Sequence, residues 1–325
     1  FGHERVGERT HFVATCLVAL GTTLSAFWIL SLNSWMQTPT GYKIIDGVFH
    51  VDNWLAVVFN PSFPYRLTHM LLASGLTASF MIAGVSAWQQ LRGAVTLGSG
   101  KAMRTGVTLA AVLIPLQIFV GDLHGLNTLE HQPQKIAAME GIWHTQASVP
   151  LLLFAWPDEA TQSNRFTVEL PGMASLILKH DLHARLQGLS DFPGATPPVA
   201  PLFWGFRIMV GVGLMMLALS WGGFVVARRR QWRLADLPKP LLWVLTAFTF
   251  SGWVATLAGW YVTEMGRQPF IVYGLLRTAD VASKVPAGQI AISFIAYLVL
   301  YVVLIVAYVS VVAHMATGSK RSVKV

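Results

Sequence analysis

The chain is poor in charge. Asp, Glu, Lys and Arg make up only 12% of its 325 residues, against about 25% in an ordinary soluble domain. Together with 54% hydrophobic residues and a mean hydropathy of +0.54, this deficit excludes a soluble domain. Acidic residues are scarcest, 15 against 23 Lys and Arg, for a formal charge of +8. Such an excess admits a nucleic-acid reading, but in a membrane protein basic residues mark cytoplasmic loops, and no nucleic-acid partner is expected. Cysteine occurs once, as Cys16. An intrachain disulfide is therefore excluded, and a thiol inside an apolar helix is expected to act as a buried small hydrophobe. Internal repeats and low-complexity tracts are lacking too. No signal peptide is visible: the chain starts at Phe1, and residues 2–10 read as a loop joining something upstream. The sequence is therefore expected to be N-terminally incomplete.

Long apolar runs are what the chain has in abundance. Several exceed the ~18 residues that a membrane-spanning helix needs. Six spans are predicted, at about residues 11–30, 65–88, 103–120, 203–226, 241–262 and 290–315. A turn-rich segment, NSWMQTPTGY (33–42), follows the first, and a short amphipathic piece at 54–59 suits the membrane interface. The fold class is all-α, a polytopic transmembrane helix bundle with one long extracytoplasmic loop. Residues 1–121 carry the first three spans, 122–201 the loop, and 202–325 the last three.

The basic residues supply the orientation. Arg5 and Arg9 precede span one, and Arg92, Lys101 and Arg104 lie between spans two and three. Arg228, Arg229, Arg230, Arg233 and Lys239 join spans four and five, and Lys320, Arg321 and Lys324 follow span six. With six spans all four clusters fall on one side, which the positive-inside rule makes cytoplasmic. The C-terminus is then cytoplasmic, and the long loop, the loop after span one and the 268–289 loop face outward.

Direction along each span sets depth. His69 enters with span two about one turn below the outer surface, Met209 lies within about two turns of it on span four, and Glu264 with Trp260 lies near the outer end of span five. Ionisable groups at membrane depth tend to be functional. Singly, each has a plainer reading. His69 suits hydrogen bonding, Met209 packing, Arg207 snorkelling, and Glu264 an interfacial ion pair with Arg267. Together they fit haem. A His and Met axial pair gives a low-spin iron suited to electron transfer. Arg207 suits a propionate or a reduced haem, Glu264 is a hard oxygen donor for a high-spin iron, and Trp260 is a flat apolar wall. His180 and His183, spaced i,i+3 in the loop, suit either a surface metal or solvation. His3, His11 and His314 fall at the cytoplasmic end and read as interfacial.

At this point the motifs resemble a known family. LVALGTTLSAFWILSLNSWMQTPTG (17–41), RLTHMLLASG (66–75), GDLHG (121–125), KIAAMEGIWHTQ (135–146), PLFWGFRIM (201–209) and GWYVTEMGRQPF (259–270) are similar to subunit I of the bacterial cytochrome bd quinol oxidases, from its fourth helix onward. The resemblance implies a subunit of a terminal respiratory oxidase that oxidises quinol at the periplasmic face and reduces O2 to water with generation of a proton gradient. It implies that His69 and Met209 ligate a low-spin b haem with Arg207 beside it. Glu264 and Trp260 then serve the high-spin b haem and a further centre that is haem d or a second high-spin b haem. Lys135 and Glu140 become quinol-binding residues of a short periplasmic Q-loop, with Glu140 accepting a proton and Lys135 holding the quinone oxygen. Without the resemblance those two read as solvated charges on a surface helix. The implied partners are ubiquinol or menaquinol, O2, the lipid bilayer, a homologous second membrane subunit and a small single-helix subunit. The family's first three helices, with a histidine ligand for the oxygen-reducing centre, have no counterpart in the sequence. A non-catalytic b-haem electron carrier or an inactive truncated oxidase subunit is the alternative. A transporter would place its binding groups near the midplane, unlike the outer-end cluster here.

Overall fold

A computed structural model describes residues 6–317. Those residues are mostly helical, and six helices are long and apolar enough to cross a membrane. Helix α1 (Glu8–Gln37) leads into the hairpin β1 (Tyr42–Ile45) and β2 (Val48–Val51), then the short helix α2 (Trp54–Val58), α3 (Phe63–Leu91) and α4 (Ser99–His131). The outer segment holds α5 (Pro133–Glu140), β3 (Gln146–Ala147), β4 (Leu151–Asp158), β5 (Ser163–Leu170), α6 (Met173–Lys179) and β6 (Arg185–Leu186). Then follow α7 (Val199–Arg229), α8 (Lys239–Ala247), α9 (Ser251–Met265), β7 (Phe270–Val272), β8 (Leu276–Arg277) and α10 (Ala287–Thr317). Arg5, His3, Lys320, Arg321 and Lys324 lie outside the described residues.

The six predicted spans each correspond to one long helix, the fifth being α8 and α9 with a 3-10 turn at Phe248–Phe250 between them. The amphipathic piece after residue 53 is helix α2, started by Asn53, whose side chain accepts from the amides of Leu55 and Ala56. Boundaries differ in two places. Helix α1 runs to Gln37, so half of the expected turn-rich segment is helical; the break comes only before Pro39, which cannot continue a helix. Helix α4 runs to His131, so residues 122–131, expected as loop, are helical. It stops before Pro133, which opens α5.

Among the described residues, the extramembrane segments also contain four two-stranded antiparallel sheets that the apolar pattern did not reveal. The longest pairs β4 with β5, from Leu151 opposite Leu170 to Asp158 opposite Ser163. Cys16 is exposed on α1 rather than buried. The physical reason is that little of this chain covers α1: only 6% of its most apolar window is buried, and none of the corresponding window of α10. Most side chains of those two helices are left uncovered by the rest of this chain.

The chain divides into two compact units. The first comprises the residues up to Leu71, Phe119–Trp204 and Tyr261–Thr278; the second comprises Leu72–Ile118, Gly205–Trp260 and Ala279 onward. In the second, helices approach closely at glycines. A Cβ on Gly84 would stand 2.1 Å from Thr249 Oγ1, and one on Gly106 would stand 2.7 Å from the carbonyl of Ser79, the small-residue packing typical of membrane helices. Its apolar core includes Leu76, Phe80, Ala110, Ile114 and Met216. In the first unit, the β4–β5 hairpin packs Leu152 and Ala155 on Phe203 at the start of α7, and the Glu159 carboxylate caps the Val199 amide at 2.8 Å. This anchors the outer segment to the helix that follows it.

Candidate functional site

The first unit brings His69, Lys135, Glu140 and Glu264 together with the outer segment, whereas Arg207, Met209 and Trp260 belong to the second. His69 lies on the second turn of α3. Gly121 of α4 faces its ring: a Cβ there would stand 3.2 Å from Cε1. The ring of His124 packs edge-on against His69, centroids 5.8 Å apart. In the second unit the arrangement around Met209 is similar, since a Cβ on Gly259 would stand 2.7 Å from its sulfur. A glycine thus leaves room beside each candidate ligand. An imidazole and a thioether are donors that suit haem iron. The Arg207 guanidinium lies 5.5 Å from the ring of its neighbour Phe206, and Trp260 is partly exposed on α9.

Glu264 is held on both oxygens. Asn33 Nδ2 donates to Oε1 at 2.6 Å, and Arg267 Nη2 donates to Oε2 at 2.6 Å. The carboxylate therefore takes part in the ion pair, and each oxygen keeps lone-pair capacity for another partner. The helix ends at Met265, and Arg267 folds back three residues onto Glu264, while Gly266 leaves room for the Lys135 stem.

Lys135 enters the same region from α5. It is only 3% exposed, and Nζ donates to the Thr263 carbonyl at 3.2 Å and to Gln37 Oε1 at 3.4 Å. Gln37 in turn donates to the Thr263 carbonyl and accepts, through its own carbonyl, from Gln132. Burial, with Arg66 and Arg267 beside it, pushes the Lys135 ammonium well below the ordinary lysine range, and Glu264 opposes the shift. Tyr273 closes this side, donating to Gln134 Oε1 at 3.0 Å; burial raises its phenol.

Glu140 ends α5, where Gly141 takes the left-handed conformation, φ +69°. Buried itself, it lines a cavity of about 330 Å³ with Trp143, His144, Asn164 and Glu169. Asn164 shapes this cavity. It accepts from Trp143 Nε1 at 3.0 Å and donates to the Gly141 carbonyl at 2.8 Å. Lys135 is not among the residues lining it. Of the loop histidines, His180 caps α6 with φ +57°, and His183 Nδ1 lies 3.2 Å from Ser148 Oγ. Among the described residues no group of three or more His, Cys, Asp or Glu could hold a metal ion.

Arg66, His124, Asn33 and Gln37 carry site roles that motif reading left unassigned. A signal existed for Arg66, which is i,i+3 to His69 and so on one helix face. Asn33 and Gln37 also share a face by their spacing, but only the fold brings that face to Glu264.

The family model for "Cytochrome bd terminal oxidase subunit I" matches residues 1–320. The Cytochrome bd ubiquinol oxidase subunit 1 of Bacillus subtilis is 30% identical over 319 residues, covering 94% of this chain and 67% of the relative. The Cytochrome bd-II ubiquinol oxidase subunit 1 of Escherichia coli K12 is 29% identical, covering 95% and 73%. Among solved structures, the bd oxidase from Geobacillus thermodenitrificans superposes with a TM-score of 0.85 at 28% identity, over 96% of this chain and 71% of that one. With six membrane-crossing helices, a matching fold and a family model that runs nearly end to end, the chain belongs to the cytochrome bd terminal oxidase subunit I family, a family of membrane-bound oxidoreductases.

Proposed function

We propose that the chain oxidises quinol in its outer segment and carries haem between its helices, as part of a respiratory oxidase that reduces O2 to water and generates a proton gradient. The observation that carries this reading is the Glu140 cavity. A cavity of about 330 Å³ falls in the range of small-molecule sites, and it joins a buried carboxylate to aromatic and amide groups. Quinol oxidation releases two electrons and two protons. Glu140 accepts a hydroxyl proton as a general base, and the opening of the cavity at His144 and Glu169, both exposed, gives that proton a way to water. Asn164 holds the cavity wall and orients the ring of Trp143.

His69 and Met209 would hold a low-spin b haem, Arg207 would stand near it, and Glu264 with Trp260 would serve the oxygen-reducing side, whose groups would be a high-spin b haem and either haem d or a second high-spin b haem. Haem bound there supplies one-electron redox chemistry. The long loop faces the periplasm and the C-terminus the cytoplasm, in an inner membrane. The scarcely covered faces of α1 and α10 suit lipid, a homologous second subunit and a small single-helix subunit.

The test is Glu140→Gln in the purified membrane complex. Quinol-driven oxygen consumption should fall at least tenfold, with turnover by an artificial electron donor retained. An equal fall in both activities would refute the quinol role. His69→Ala or Met209→Ala should each remove the low-spin band from the reduced-minus-oxidised spectrum, and an unchanged band would refute the ligand assignment.

A further inference from the structure

Strand β5 has two unlike sides. Thr167 and Glu169 line the Glu140 cavity. Val168 and Leu170 alternate with them and so point the other way, and they are 55% and 42% exposed. On β4, Phe154 stands opposite Val168 and Leu151 opposite Leu170. Direct partners share a face, so this face is apolar on both strands. A bulge adds to it. Between the pairs Phe154–Val168 and Trp156–Arg165 the register shifts, with two residues on β5 against one on β4. Phe166 sits in this bulge with φ +54° and is 80% exposed. A left-handed conformation is strained for an aromatic residue and persists where the surroundings reward it, and bulges re-aim side chains. Water offers no reward for an aromatic ring displayed in this way.

The level of this face is set by α7. Phe154 packs edge-on against Trp204, ring centroids 5.0 Å apart. Trp204 lies on the second turn of that helix, which is long and apolar enough to cross a membrane and ends in Arg228 and Arg229. From Arg228 back to Trp204 is ~36 Å of helix at ~1.5 Å per residue. A hydrocarbon core is ~30 Å thick, and the headgroup layers bring the bilayer to ~40–45 Å. With the arginines at one interface, Trp204 falls in the interfacial layer of the other, where tryptophan is enriched. The apolar face of the hairpin meets that tryptophan, so it continues a membrane-helix surface at headgroup depth.

We propose that the face of the β4–β5 hairpin carrying Phe154, Phe166, Val168 and Leu170 docks on the lipid surface at the Trp204 end of α7, and that this contact holds the Glu140 cavity beside the bilayer. An exposed apolar patch of this kind marks an interaction surface, and aromatic and aliphatic side chains at headgroup depth are what a lipid interface takes up. The hairpin is tied to the cavity wall, because Asn164 on β5 bonds to Trp143 and to the Gly141 carbonyl. A quinol carried in lipid then reaches Glu140 without crossing water. That second half rests on the reading of the Glu140 cavity given above; the lipid contact does not.

The experiment uses the whole complex reconstituted into phosphatidylcholine nanodiscs, with Cys16→Ser and a nitroxide spin label on Phe166→Cys or Leu170→Cys. Signals from other cysteines are removed by subtracting the Cys16→Ser complex treated in the same way. Collisions with O2, which concentrates in lipid, should exceed those with a water-soluble nickel chelate at least about threefold at both positions. Nickel collisions as frequent as those with O2 would put the face in water, and suppression of both would put it under protein. Either outcome overturns the lipid contact. Phe166→Asp with Val168→Asp should raise the KM for a long-tailed quinol at least about fivefold and leave that for a tail-free quinol within about twofold. Equal rises, or none, would overturn the guiding role. Glu140→Gln leaving quinol kinetics unchanged would instead remove the quinol reading and leave the lipid contact standing. Should Phe166→Cys fail to assemble, Val168→Cys reads the same face.

Discussion

Gly266→Ala tests the packing around Lys135 most directly. A Cβ at position 266 would stand 2.5 Å from Lys135 Cε and 2.9 Å from Cδ, and 2.5 Å from the Val262 carbonyl. Carbon atoms in contact prefer about 3.5–4.0 Å, so the lysine stem must move by roughly 1 Å. That displacement threatens both Nζ bonds, to Thr263 and Gln37, each worth about 0.5–1.5 kcal/mol. The overpacking itself costs about 1–3 kcal/mol, so the total is roughly 2–6 kcal/mol. The thermal midpoint of the purified complex, followed by tryptophan fluorescence, should fall by several degrees. The decisive comparison is with Lys135→Ala. In that background the new methyl meets no lysine stem, and only the clash with the Val262 carbonyl persists. Gly266→Ala should therefore cost less there, with a coupling of at least about 1 kcal/mol. Equal costs in both backgrounds would refute the packing of the Lys135 stem against Gly266.

Asn164→Ala strands the Trp143 indole N–H and the Gly141 carbonyl, both on buried residues. Local opening of the outer segment should become easier by about 2 kcal/mol, seen as faster hydrogen exchange at residues 141–143, with a raised quinol KM. Tyr273→Phe removes the bond to Gln134 and should cost about 1 kcal/mol. Because burial raises the Tyr273 phenol above its usual value of 10.0, the folded state keeps its proton where the unfolded state has lost it. Stability should therefore fall as pH rises above about 10, less steeply in Tyr273→Phe; equal slopes would contradict the burial. Gly84→Ala sets a methyl against Thr249 Oγ1 and the Leu245 carbonyl. It should lower the thermal midpoint of the complex, whereas Gly21→Ala, with open space around it, should not.

Much of the architecture was legible because a bilayer leaves few choices. A run of twenty apolar residues must satisfy its backbone internally and becomes a helix, so six apolar stretches became six helices, and the amphipathic piece at 54–59 became α2. What eluded pattern reading was set by pairing at long range. The second strand of the β4–β5 hairpin is exposed at seven of its eight residues, and its short alternation of Phe166, Val168 and Leu170 faces outward rather than into a core, so register arose from the partner strand. The helical course of residues 122–131 was hidden because GDLHG looks like a turn, although glycine beside His69 is a packing device rather than a break.

By itself the sequence determined the class, the span count and the family motifs, including His69, Met209, Glu264, Lys135 and Glu140 as the residues to watch. Only the tertiary structure decided which of them meet. Lys135 and Glu140 sit in one short motif, yet helical rotation sends one to Gln37, Thr263 and the buried arginines and the other to the Trp143 cavity. Asn33 and Glu264 are separated by 231 positions and lie 2.6 Å apart. The reason is physical: hydropathy acts residue by residue along the chain, whereas the balance of buried charge exists only once distant segments are folded against each other.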